Sequence, residues 1–168
     1  MKKKNEKGIT MISLVITVIV LTMLGFTITM NASGMINITN INDLEGDIEL
    51  LKQKVETFYK EYGEIPISLE YTNISHLSNI LNNKEKELGS KFYVIDLQAM
   101  KGITLNLGKD YETVRKMTGT KEDLANVNNL KDLYIINNIT HNIFYVEGIN
   151  IDGVNRYTNY SVPQNIPN

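Results

Sequence analysis

The chain begins with a long apolar stretch that separates two charged regions. No ionisable side chain occurs from Ile9 to Asn42, and residues 11–30 contain eleven Leu, Ile, Val or Phe. A helix of about 20 mostly apolar residues is long enough to cross the ~30 Å hydrocarbon core of a membrane. The pattern therefore predicts a transmembrane helix over residues 9–34.

The charges that flank this stretch predict its orientation. Residues 1–8 form a basic leader with four lysines, and the first charge after the stretch is Asp43. Basic residues next to a span stay on the cytoplasmic side. We therefore expect a single-pass membrane protein, with its N-terminus in the cytoplasm and its C-terminal domain outside.

A second apolar pattern follows, with spacings of three and four residues. Such spacing places the side chains on one stripe of a helix, and it predicts an amphipathic helix over residues 35–62. Gly63 suits a helix C-cap and Pro66 prevents continuation. The stripe fits either a short coiled coil or packing on the chain's own C-terminal half. Because three heptads are short for a stable coiled coil, we favour packing on the C-terminal half. We call these residues the helix seam: Ile41, Leu44, Ile48, Leu51, Val55, Phe58 and Tyr62.

The remaining residues alternate between short apolar runs and polar turns. β-branched and aromatic residues in such runs are typical of strands. The predicted fold class is α+β, with a long N-terminal helix (transmembrane half plus amphipathic half) packed on a small C-terminal antiparallel sheet. The globular domain covers residues 63–162, and residues 163–168 form a flexible tail. Within the globular domain we predict a helix over 75–88 and strands over 91–97, 133–136, 142–147, 149–151 and 156–160.

Composition and motifs argue against most catalytic functions. The chain has no cysteine, and its two histidines, His76 and His141, are far apart in sequence. It contains no phosphate-binding glycine loop, HExxH motif or nucleophile elbow. We therefore expect that the chain is not an enzyme and that it has no cofactor and no metal site. Asn150, Asp152 and Asn155 could contribute to a calcium loop, but their spacing matches no strong motif, and a hairpin turn is the favoured interpretation.

Charge argues against nucleic acid as a partner. The chain has 17 basic and 19 acidic side chains, a net charge of −2. Removing residues 1–8 takes away four Lys and one Glu and leaves 13 against 18, or −5. Non-specific DNA affinity comes mainly from neutralised phosphates. DNA binding, as in DNA uptake, therefore stays an alternative function only.

The N-terminus resembles a known processing signal. A basic leader, then Lys7-Gly8, then the apolar run Ile9–Leu21, is similar to the N-terminal signature of type IV pilins and type II secretion pseudopilins, closest to the Gram-positive variants. The segment Glu56–Pro66 more weakly resembles the helix end of small pseudopilins, and Tyr145–Gly153 resembles the closing hairpin of some members.

The resemblance implies a pilin-like fold and a structural function. A prepilin peptidase would cut between Gly8 and Ile9 and methylate the new amine of Ile9. The mature chain would be a major or minor subunit of a type IV pilus-like or type II secretion-like filament at the cell surface. Its implied partners are other pilin or pseudopilin subunits, the prepilin peptidase, an assembly platform membrane protein and, before assembly, membrane lipid.

One position departs from the family pattern. Most members have Glu as the fifth mature residue, and here that position is Ser13. A hydroxyl cannot neutralise a buried ammonium group. The resemblance then leaves two readings, a specialised minor subunit or a lineage with another pairing scheme.

Two other fates of the N-terminus stay open. The chain could remain an uncleaved, single-pass anchor for a surface binding protein. A signal peptidase could also release the chain after Gly34, although the apolar region is longer than the 7–15 residues of an export signal.

Overall fold

The computed structural model describes residues 6–151 and 153–159, with the side chains of residues 13–22, 38–151 and 153–159. The chain forms two compact units, Met1–Thr39 and Asn40–Asn168. The predicted tail and Asp152 lie outside the described residues.

Helix α1 spans Glu6–Tyr62 and begins in the first unit. Its C-terminus lies in the second unit, where Gly63 adopts a φ of +76° and its N–H donates to the Tyr59 carbonyl at 2.9 Å. Glycine adopts this left-handed conformation without the steric cost of a Cβ, and the bond satisfies one of the last helical carbonyls. The helix therefore ends where the sequence predicted its cap.

The second unit contains a four-stranded antiparallel sheet. Its strands are β1 (Ile67–Glu70), β2 (Phe92–Ile95), β3 (Tyr134–Asn137) and β4 (Ile143–Tyr145), in the order β1-β2-β3-β4. A separate two-stranded sheet pairs β5 (Ile149–Ile151) with β6 (Val154–Arg156). Short helices α2 (Tyr111–Val114) and α3 (Lys121–Asn126) lie between β2 and β3 in sequence.

The hydrophobic core of the second unit joins α1 to the central strands. Leu44, Ile48 and Leu51 of α1 share one buried cluster with Val94 of β2 and Ile135 of β3. All five side chains are almost completely buried. The stripe periodicity of α1 and the buried pattern of β2 to β4 thus converge on the same interior.

The fold class predicted from the sequence is wrong. Of the helices that the structure describes, none is long and apolar enough to cross a membrane. The expected single small sheet is also replaced by a four-stranded and a two-stranded sheet with short helices. The mixture of α and β elements agrees in part with the prediction.

The helix predicted over residues 75–88 is also wrong. That segment contains two separate 3-10 turns, Ser75–Leu77 and Lys84–Lys86. Leu88, the last residue of the predicted helix, is fully exposed. The buried side chain of Glu85 lies there instead, and its hydrogen bonds to a distant turn hold the segment in place.

Candidate functional site

The described surface of the first unit is dominated by Ser13–Thr22 of α1, which we call the apolar segment. Each of its side chains is exposed. Successive residues of an α-helix are about 100° apart, so the large hydrophobic ones point to all sides. A helix that is hydrophobic all round normally lies buried. The exposed fractions of these side chains run from 47% to 63%: Leu14, Val15, Ile16, Val18, Ile19, Val20 and Leu21.

The threonines of the apolar segment bond to the helix itself. The Thr17 hydroxyl donates to the Ser13 carbonyl at 2.8 Å, and the Thr22 hydroxyl donates to the Ile19 carbonyl at 2.8 Å. A hydroxyl that is already bonded costs less to move out of water than a free one. The apolar segment can therefore enter an apolar environment without leaving these donors unpaired.

The residues of the predicted cleavage site lie upstream of this segment. Gly8 and Ile9 belong to α1, and the side chain of Ile9 is outside the described part of the chain. Leader residues 1–5 also lie outside it. Ser13, the atypical position, is exposed on α1.

The helix seam lies mainly inside the second unit. Leu44, Ile48, Leu51 and Val55 are 0–3% exposed, whereas Ile41 and Phe58 are partly buried. Tyr62, the last seam residue, is 60% exposed, with its ring centroid 4.5 Å from that of Phe58. The buried seam residues have their partners within the chain, so they offer no free surface in the second unit.

A buried carboxylate on α1, Asp47, anchors a loop of the second unit. It is 1% exposed and accepts hydrogen bonds from the backbone N–H groups of Asn106 and Leu107, both at 2.9 Å. The Tyr134 hydroxyl and the Asn106 side-chain amide donate to it as well. Several donors around one carboxylate offset its loss of hydration. Asp47 thus fixes the 106–107 loop and strand β3 to the helix.

A second buried carboxylate, Glu85, fixes the turn between β3 and β4. It accepts hydrogen bonds from the Asn82 N–H at 2.8 Å, the Thr140 hydroxyl at 2.9 Å and the Asn142 amide at 2.6 Å. Sequence reasoning missed both carboxylates, because a lone acidic residue in a polar context is normally solvated. Their partners are up to 87 residues away in sequence, and no local pattern marks such pairs.

Several tyrosines are buried around these contacts. Burial raises the pKa of Tyr134, and the negative charge of Asp47 raises it further. Burial also raises the pKa of Tyr111, whose hydroxyl donates to the Tyr134 carbonyl at 3.0 Å. The Tyr145 hydroxyl lies 2.9 Å from a carboxylate oxygen of Asp132, and burial raises its pKa as well. These neutral phenols act as hydrogen-bond donors that stabilise the fold.

The two histidines lie in different settings. The Nε2 atom of His76 is 3.0 Å from the Val146 carbonyl, and its ring packs beside Tyr157. The ring of His141 packs edge-on against Tyr59. Within the described residues, no group of three or more His, Cys, Asp or Glu side chains is placed to hold a metal ion. Asn150 and Asn155 bond to each other across the β5–β6 hairpin at 2.7 Å.

Comparison with family models, with curated proteins and with solved structures found no match for this chain.

Proposed function

We propose that the chain is a structural subunit of a bacterial surface filament of the type IV pilus or type II secretion kind, processed between Gly8 and Ile9. The observation that carries this proposal is the apolar segment Ser13–Thr22, whose large side chains are about half exposed on all sides of a helix. Such a surface is stable only when it is covered. In the proposed filament, the same segment of neighbouring subunits covers it.

The order of charges along the chain supports the same function. Four lysines precede Gly8, and no ionisable residue follows until Asp43. An ammonium group is expensive to bury among apolar side chains. Removal of residues 1–8 would leave an apolar helical segment whose only charge is the new amine of Ile9. This segment can pack against the same segment of neighbouring subunits. A repeated head-to-tail contact that does not close produces a fibre.

The second unit supplies the part of the subunit that faces water. It has its own core, and its exposed residues include most of the chain's charges. The remaining parts of the proposal rest on the resemblance of the N-terminus: a prepilin peptidase, an assembly platform protein, methylation of Ile9 and a cell-membrane location for the precursor. They stay predictions.

The mature N-terminus tests the proposal. Protein isolated from the surface of the native host should begin at Ile9 by mass spectrometry and should be recovered in filaments seen by immunogold electron microscopy. A Gly8→Val substitution should leave residues 1–8 attached and prevent assembly, because the peptidase must approach the backbone closely at this position. The matched control, Gly34→Val, should be processed normally.

Three results would overturn the proposal. Native protein that retains residues 1–8 would identify an uncleaved anchor. A mature chain that begins at Met35 would identify an exported protein without the apolar segment. Normal filaments from the Gly8→Val variant would show that processing at Gly8 is not needed.

A further inference from the structure

A groove in the second unit lies where the chain leaves strand β4, next to His76. Its volume is about 330 Å³, near the lower end of the range for small-molecule sites in proteins. Its walls combine the ammonium group of Lys131, the carboxylate of Glu147 and the rings of His76 and Tyr157. A groove of this size and composition fits a small ligand that carries charge.

The two charged groups of the groove are not paired with each other. Lys131 and Glu147 are both exposed, and neither belongs to an ion pair within 4 Å in the described part of the chain. The groove therefore presents one positive and one negative group, each able to meet a charge of the ligand. Complementary charges determine which ligand such a site selects, and here they favour a ligand that carries both signs and no net charge.

Two further carboxylates lie near Lys131, but they do not line the groove. Asp110 accepts hydrogen bonds from the backbone N–H groups of Lys131 and Asp132, both at 2.9 Å. Asp132 in turn accepts the N–H group of Gly108 at 2.6 Å. Both carboxylates thus serve to hold the backbone, and the ammonium group of Lys131 is left to the groove.

The carboxylate of Glu147 can accept more hydrogen bonds than the fold supplies. Its one printed neighbour is the Tyr145 hydroxyl, at 3.1 Å, and that hydroxyl also lies 2.9 Å from Asp132. A hydroxyl has a single proton to donate, whereas a carboxylate has about four acceptor positions. Among the described residues, no other group donates to Glu147. A ligand with N–H donors would supply what is missing.

The walls of the groove are held in place by hydrogen bonds. The Tyr71 hydroxyl donates to the Leu130 carbonyl at 2.9 Å, directly before Lys131. On the other wall, the Nε2 atom of His76 lies 3.0 Å from the Val146 carbonyl, and its ring centroid is 5.6 Å from that of Tyr157. Groups on a rigid support need little reorganisation to bind a ligand.

We propose that this groove binds a small zwitterion, an α-amino acid with an apolar or aromatic side chain. Glu147 accepts hydrogen bonds from the ammonium group of the ligand, and Lys131 pairs with its carboxylate. The ring of Tyr157 packs against its side chain. This site is independent of filament assembly, because it lies wholly in the second unit and uses no residue of the apolar segment.

Isothermal titration calorimetry of the full-length chain in detergent micelles tests the site, with titration into micelles alone as the reference. L-Phenylalanine should give saturable heat. Two analogues remove one charge each: N-acetyl-L-phenylalanine has no ammonium group, and L-phenylalaninamide has no carboxylate. Each should bind about twofold to fivefold more weakly than L-phenylalanine, the effect of one exposed charge pair. Glycine, which has both charges but no side chain, should also bind more weakly.

Two variants assign each charge of the ligand to its partner. Glu147→Gln should weaken the binding of L-phenylalanine about twofold to fivefold and leave that of N-acetyl-L-phenylalanine unchanged. Lys131→Gln should weaken the binding of L-phenylalanine to the same extent and leave that of L-phenylalaninamide unchanged. The matched controls Glu122→Gln and Lys121→Gln, at exposed positions outside the groove, should bind like the unmodified chain. Circular dichroism checks that all four variants are folded.

The proposal fails if L-phenylalanine gives no saturable heat beyond the micelle reference. It also fails if the Glu147→Gln and Lys131→Gln variants both bind L-phenylalanine as tightly as the unmodified chain, because the ligand would then occupy another surface. Glycine that binds as tightly as L-phenylalanine would contradict the selection of an apolar or aromatic side chain.

Discussion

The Tyr134 hydroxyl donates a 2.9 Å hydrogen bond to a carboxylate oxygen of Asp47, across 87 positions of sequence. The bond joins a central strand of the sheet to α1, and both side chains are almost completely buried. Asp47 also accepts hydrogen bonds from the backbone N–H groups of Asn106 and Leu107. One carboxylate therefore holds α1, the 106–107 loop and strand β3 together.

Replacing Asp47 should therefore destabilise the second unit strongly. In Asp47→Asn, an NH₂ group replaces one acceptor oxygen and faces donors that lose their partner. The free energy of unfolding should fall by about 2–4 kcal/mol, as expected when buried donors are left unpaired. Urea unfolding followed by circular dichroism measures the change.

Glu49→Gln is the matched control for Asp47→Asn. Glu49 lies two residues further along α1 and is exposed. Its substitution should change the free energy of unfolding by less than about 0.5 kcal/mol. Equal effects of the two substitutions would contradict the role assigned to Asp47.

The sequence predicted the parts of this fold that depend on local patterns. Spacings of three and four residues gave the face of α1 that carries Ile48 and Leu51. The apolar runs on either side of residues 137–141 gave the hairpin of β3 and β4. In both cases the pattern repeats within a few residues, so it can be read without knowing what packs against it.

The parts that the sequence missed depend on distant contacts. Strand β1 has four residues and includes the polar side chains of Ser68 and Glu70. It forms the edge strand of the sheet only because it pairs with β2. Asp47 is buried against the 106–107 loop, which lies 59 to 60 positions away in sequence.

The buried tyrosines predict a loss of stability at alkaline pH. Burial raises the pKa of Tyr71 to about 12 and also raises the pKa values of Tyr111, Tyr134 and Tyr145. In the unfolded chain these phenols ionise near pH 10. Above that pH the unfolded state binds fewer protons than the folded state, so the free energy of unfolding falls as pH rises. The stabilisation is fully present below about pH 10.

Urea unfolding at a series of pH values from about 9 to about 11.5 measures this effect. The urea midpoint should hold steady at first and then fall, and the fall should be shallower in Tyr71→Phe, which has one fewer ionising phenol. Tyrosinate absorbance, recorded in the same samples, should show a group of phenols that ionise only as the chain unfolds. A midpoint that stays constant over the whole range would contradict the prediction.

Gly148 should not tolerate a side chain. Its φ is +72°, and an added Cβ would lie 2.5 Å from a ring carbon of Tyr157. Gly148→Ala should lower the free energy of unfolding by about 1–3 kcal/mol, from backbone strain and steric overlap together. Gly89→Ala is the control for strain alone, because its φ is +93° and nothing lies within 4 Å of an added Cβ.

A double-mutant cycle with Tyr157→Ala separates the two causes. Removing the ring should relieve the overlap, so Gly148→Ala should cost less in the Tyr157→Ala background than in the unmodified chain. If the two substitutions are additive, the contact between Gly148 and Tyr157 does not limit the position.

A charge in the apolar segment should block assembly without blocking processing. Val18 lies in the middle of the segment and is 52% exposed. In a filament whose subunits cover this surface, the ammonium group of Val18→Lys would be buried without a counter-ion, because no acidic side chain occurs between Ile9 and Asn42. The variant should be cut after Gly8, as mass spectrometry would show, yet give no filaments by electron microscopy. Gln53→Lys, which adds the same charge at an exposed position of α1, should assemble normally. Filaments from Val18→Lys in ordinary numbers would mean that this segment is not the surface between subunits.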